Sequence, residues 1–239
     1  MNKNFELQEI DELFEEFISS YTNGDYADAP VDIVGLVCKY FGLTVYYVRF
    51  ADDEDIPLGY ICNGLTAVNI VHDNKPVKYV FPKNTILLDE RLKKKSEAVR
   101  RHALSHECAH YVYSLFNGHV GEIALMKEGQ TMQINDLMEL IRKREMLADH
   151  GAAAFLLPKA LLLNTYHKFV GYDKMRIYGE SVFLPEDRVK LAQMAEFLKV
   201  PPDMLIERMI YFDIFERRKI GEYVNLVFGS LPVYSGDAV

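Results

Sequence analysis

His106-Glu107-Cys108-Ala109-His110, inside the longer stretch Ser96 to Gly118, is the part of this 239-residue chain whose reading decides the rest. The stretch has helical punctuation: Ser96 is a candidate N-cap followed by Glu97, Val99, Ala103, Val112 and Phe116 keep an apolar stripe, and Asn117-Gly118 is a stop. On a helix advancing about 100° per residue, His106 and His110 stand about 40° apart and one turn apart in height, so both imidazoles can reach one metal ion. Glu107 falls about 60° from His110, close enough to act on a water at that metal without ligating it. Cys108 falls about 160° from His110 and is expected in the helix packing. The spacing points to zinc-assisted hydrolysis with Glu107 as the catalytic base.

Zinc used for hydrolysis takes three protein ligands and keeps a fourth position for water. Asn135 to Leu157 reads as a second helix, opened by Asn135-Asp136 and closed by Pro158, with Glu145 and Asp149 four residues apart on one face. Glu145 is the expected third ligand. Asp149 is expected to accept the outer N–H of a ligand histidine, His106 by preference, and so fix its tautomer. Ala148, Gly151 and Ala152 form a small-residue stripe that would let another helix approach. Against this stands a plain solvated role for Glu145 beside Arg142, Lys143 and Arg144. Glu139 and Glu122 compete as ligands, but neither has a carboxylate four residues on or a small-residue face beside it.

These two motifs carry a resemblance. H-E-C-A-H followed by E-M-L-A-D-H-G-A-A-A-F-L-L-P resembles the ImmA/IrrE family of bacterial metallopeptidases, in which H-E-x-x-H precedes E-x-x-A-(N/D)-x-x-A and an apolar run ending in proline. Glu145, Ala148, Asp149, Ala152 and Pro158 fall on the pattern, and Asn84 to Asp89 resembles the strand that precedes the zinc helix. Gly151 departs from it, standing where the family usually has phenylalanine, and the interval from His110 to Glu145 is long. The resemblance covers roughly residues 84 to 160. It implies an α+β fold with a zincin-like metallopeptidase core, Zn2+ on His106, His110 and Glu145, and cleavage of a repressor protein of a phage, mobile element or stress response. A helix-turn-helix repressor encoded nearby is the implied partner.

Composition agrees with a globular chain: 49% hydrophobic and 26% charged residues exclude disordered and collagen-like classes. No apolar run reaches the ~18 residues that span a bilayer, and Met1 to Glu6 lacks a signal-peptide segment, so a cytoplasmic protein without membrane association is expected. Cys38, Cys62 and Cys108 show no C-x-x-C spacing and are expected as reduced thiols. A net charge of −8 argues against direct nucleic-acid binding. Arg91 to Lys95 with Arg100 and Arg101 is the strong basic cluster and reads as a solvated helix entrance.

Along the chain, residues 6 to 20 have helical periodicity through Phe5, Ile10, Leu13, Phe14 and Phe17. A second helix is expected from an Asp32 cap to Gly42, with Val34, Val37, Cys38 and Phe41 inward, followed by a strand over Leu43 to Phe50. Short strands over Leu58 to Cys62, Leu65 to Val71, Lys78 to Val80 and Thr85 to Leu88 are expected to make one small twisted sheet, an edge of which could bind an extended substrate. Beyond Pro158, Leu161 to Leu163 extend helical character and Phe169 to Phe183 reads as irregular. Pro185 to Leu198 and Pro202 to Arg217 read as a helix pair turned at Val200-Pro201. The expected organisation is a single compact domain, 1–239, with a peptidase core over about 43–160, a helical N-terminal segment 1–42 and a helical C-terminal segment 161–239.

Three functions compete on the sequence: a zinc endopeptidase, favoured by the intact Glu107; a zinc-fold regulatory module acting by protein binding; and a DNA-binding regulator using residues 185 to 217, disfavoured by the net acidity. His150, His167 and Tyr113 are open choices for stabilising an oxyanion. His102 and His119 read as surface or packing residues.

Overall fold

The computed structural model describes residues 7–51, 58–117 and 133–229; Glu122 and His119 lie outside them. The chain is α+β. Helix α1 (Leu7–Thr22) buries Ile10, Phe14 and Ile18, a spacing of four that lays one stripe against the core. Helix α2 starts at Ile33, where the Asp32 carboxylate accepts the Gly35 N–H, and widens into a π-helical turn over Leu36–Tyr40. Ile33, Leu36 and Val37 go inward at the ordinary spacings of three and four, so the buried face lies one residue earlier than expected and Val34 and Cys38, expected inside, are exposed. Gly42, at φ +66°, ends the helix as a left-handed C-terminal residue should.

Strands β1 (Thr44–Val48), β2 (Gly59–Cys62) and β5 (Thr85–Asp89) form a three-stranded sheet in the order β1-β5-β2. β1 runs parallel to β5 and β2 antiparallel to it. Central β5 is buried along its whole length, with Ile86 and Leu88 facing the helices and Leu87 facing the other way. Strands β3 (Ala67–His72) and β4 (Lys75–Val80) are a separate hairpin, which corrects the expectation of one sheet. Its two-residue turn, Asp73-Asn74, has both φ positive (50° and 58°), the conformation that matches strand twist and that Asp and Asn tolerate. The ribbon is stitched to the end of β1 at Phe50, opposite Ile70, and closes a small second core of Phe50, Cys62, Phe81 and Leu87.

A short 3-10 turn (Glu90–Lys94) leads into α3 (Glu97–Asn117), where the Ser96 hydroxyl accepts the Val99 N–H. Helix α4 (Ile134–Leu156) starts one residue earlier than expected, and Pro158 precedes α5 (Lys159–Phe169). Helices α6 (Pro185–Leu198) and α7 (Pro202–Tyr211) pair across a turn in which Lys199 is left-handed. Two expectations fail here. The segment expected to be irregular holds β6 (Arg176–Tyr178), and the helix expected to reach Arg217 stops at Tyr211, because Asp213 at φ +52° turns the chain into β7 (Glu216–Arg218), parallel to β6. Helix α8 (Ile220–Phe228) follows. No single described helix is long and apolar enough to cross a membrane.

The packing that positions the site is α3 on α4. Ala109, Ala148 and Ala152 are fully buried, and a Cβ built on Gly151 would lie 2.9 Å from both Ala109 Cβ and the Phe14 ring. Gly151→Ala is therefore expected to lower the thermal midpoint by about 2 to 10 °C despite alanine's better helix propensity. Gly221→Ala in α8, where an added methyl meets nothing within 4 Å, is the control and should be neutral or stabilising. Calorimetry giving both variants the same sign would refute the close-packing account.

Candidate metal centre

The cleft of about 510 Å³ above this helix contact is lined by α3, α4 and β2. Three donor atoms converge in it. His106 Nε2 lies 3.1 Å from His110 Nε2 and 3.2 Å from Glu145 Oε2, and His110 Nε2 lies 3.5 Å from Glu145 Oε1. The fit to a metal follows from these separations, since tetrahedral ligands bound at about 2.05 Å stand about 3.3 Å from each other. The donor set, two imidazoles and a carboxylate, is one that divalent transition metals accept. His106, His110 and Glu145 thus form a group able to hold a metal ion.

Each donor has a supporting partner or neighbour. His106 Nδ1 lies 2.9 Å from Asp149 Oδ1, and since an ionised carboxylate only accepts, Nδ1 carries the hydrogen and Nε2 is left facing the cleft. Burial disfavours charge on His106, but the hydrogen bonds its ring donates to Asp149 and Glu145 outweigh it and push its pKa up to about 10. Hydrogen bonds from His106 and His110 push Glu145 well below the usual carboxylate range.

Glu107 is only 7% exposed and sits against Gly59 of β2, where an added Cβ would come within 2.6 Å of its carboxylate. Burial raises its pKa, with His110 and His106 opposing. Cys108 is fully buried and burial raises its thiol pKa, in keeping with a packing role.

The remaining candidates sort by position. Glu139 is exposed and outside the donor groupings. Tyr113 donates its hydroxyl to the Leu147 carbonyl at 2.8 Å and ties α3 to α4. His150 stands 3.2 Å from Asp11, and the His167 ring packs on Tyr172 at 4.8 Å. None of these three lines the metal cleft. His102, read from sequence as surface or packing, does line it, packs edge-on to His106 at 6.3 Å, and forms a second donor group with His106 and Asp149. The four-residue spacing His102-His106-His110 was the clue.

Comparison with protein-family models and with curated proteins finds no match to this chain. The donor geometry therefore stands on its own chemistry. Asp149→Ala should weaken metal binding about 10- to 100-fold by releasing the His106 ring, measured by competition with a chromophoric chelator; an unchanged affinity would reduce Asp149 to a surface carboxylate.

Proposed function

We propose that this protein is a zinc-dependent endopeptidase with a zincin-like core, acting in the cytoplasm on a protein substrate. The observation that carries the reading is the convergence of His106, His110 and Glu145 donors within 3.1 to 3.5 Å, with the buried Glu107 carboxylate on the same helix beside them. The resemblance of the two motifs to the ImmA/IrrE metallopeptidases supports the same reading and suggests a repressor, encoded nearby, as substrate.

Bound zinc would polarise a scissile carbonyl and lower the pKa of water to about 7. Glu107 accepts the proton that water gives up and delivers it to the leaving amine, a task suited to a carboxylate screened from bulk solvent. Asp149 keeps the His106 ring oriented. Among the described residues β2 pairs with β5, and Leu58 to Ile61 line the cleft, where an extended peptide can lie alongside the strand. Direct nucleic-acid binding is disfavoured: the exposed charged residues of α7 are Asp203 and Glu207, while its Arg208 is buried.

Two variants test the assignment with zinc content and hydrolysis measured side by side. Glu107→Gln should keep zinc and fold but lose hydrolysis, whereas Glu145→Ala should lose the metal itself. Full zinc occupancy in Glu145→Ala would remove Glu145 from the ligand set. Gly59→Ala should keep zinc yet lower turnover by displacing the flexible end of Glu107, and undiminished turnover would dissociate Gly59 from the chemistry. Incubation with the neighbouring repressor decides the substrate: a discrete Glu107-dependent cut supports a peptidase, and a stable uncut complex a binding module.

A further inference from the structure

We infer that Arg144 is a specificity residue that binds a carboxylate of the substrate, an inference that rests on the peptidase reading above. The α4 face toward the cleft carries Ile141, Arg144, Glu145 and Asp149, at the spacings of three, four and eight that a helix brings together. Arg144 is half-buried there, unlike Arg142 and Lys143, which are exposed. The histidines aside, it is the one basic side chain among the described residues lining the cleft. It makes no hydrogen bond or ion pair with a described residue, although Glu145, Asp149 and Glu107 line the same space.

A guanidinium withdrawn from bulk water is stabilised by a planar acceptor that meets its fork of N–H donors. The cleft carboxylates are otherwise engaged: Glu145 faces His106 and His110, Asp149 holds His106, and Glu107 is packed on Gly59. That leaves the Arg144 fork of donors open to an acceptor brought by a bound chain. Leu58, Val99 and Ile141 make part of the wall apolar, so an approaching chain meets hydrophobic side chains beside the Arg144 guanidinium. That combination selects a carboxylate set among apolar residues, supplied by an Asp or Glu side chain or by a free C-terminus.

The test uses fluorescein-labelled heptapeptides with an apolar frame, in which a single Glu, Gln or Lys is moved through every position. Each is made with a free and with an amidated C-terminus. Binding to zinc-loaded Glu107→Gln protein is read by fluorescence anisotropy, which does not depend on turnover. At one position Glu should bind about 10- to 100-fold tighter than Gln, or the free terminus tighter than the amide. That preference should vanish in Arg144→Ala, return in part in Arg144→Lys, and turn toward Lys in Arg144→Glu. Absence of any carboxylate preference, its persistence in Arg144→Ala, or absence of peptide binding would each overturn the inference. Hydrolysis by the Glu107-intact protein without charge preference sinks Arg144 and leaves the peptidase reading intact; charge-selective binding without hydrolysis does the reverse.

Discussion

The approach of α3 to α4 is the constraint on which the site depends. A glutamate reaches two histidines on a neighbouring helix only if the helix axes are close, and side chains at the crossing set that distance. Here the crossing is made of Ala109, Ala148, Gly151 and Ala152, with the Phe14 ring from α1 filling the space beside Gly151. Phe14 also packs on Phe155 at 4.2 Å and on Tyr113 at 5.8 Å. A side chain on residue 151 would displace the Phe14 ring, so the contact requires glycine there. Packing and donor geometry are thus one property of the same contact.

The sheet contributes in a different way. β5 is buried along its length and fixes β2 in register, Ile61 opposite Ile86 and Gly59 opposite Leu88. β2 then brings a glycine against Glu107 and lines the cleft from Leu58 to Ile61. Any larger residue at 59 would compete with the carboxylate for space. The base is held by the absence of a side chain on one strand, and the first donor, His106, by the presence of one on α4.

Much of this was legible in the sequence because it depends on periodicity and local chemistry. The two ligand helices, the Asp32 and Ser96 caps, the Asp73-Asn74 turn and the inward direction of Cys108 all follow from spacing within a single element. What escaped depends on partners far along the chain. β6 and β7 are three residues each and exist through pairing between segments some forty residues apart, which no local pattern announces. Val34 and Cys38 read as inward because a run of apolar residues leaves the phase of a short helix open by one residue, and Ile33, Leu36 and Val37 take the buried face instead. His102 and Arg144 escaped for a related reason: a histidine beside two arginines and an arginine in a run of cations look solvated until the tertiary fold shows which one turns into a cleft.

The C-terminal helices also bear on the site, because they reach His150, the residue next to Asp149, which orients His106. Arg208 of α7 is buried and bonds Asp11 of α1 at 2.6 Å and the Leu157 carbonyl at 3.2 Å. His150 of α4 lies 3.2 Å from the same Asp11 and stacks edge-on with Tyr211. A buried ion pair contributes little net stability over an apolar pair, yet losing one partner costs about 3 to 5 kcal/mol, so such a pair chiefly enforces one arrangement over others. Here the enforced arrangement joins α1, α4 and α7 at His150, one residue from Asp149. The rotation of α4 about its own axis, which decides whether Glu145 and Asp149 face His106, is therefore held from an adjoining face of the helix as well as from within the cleft.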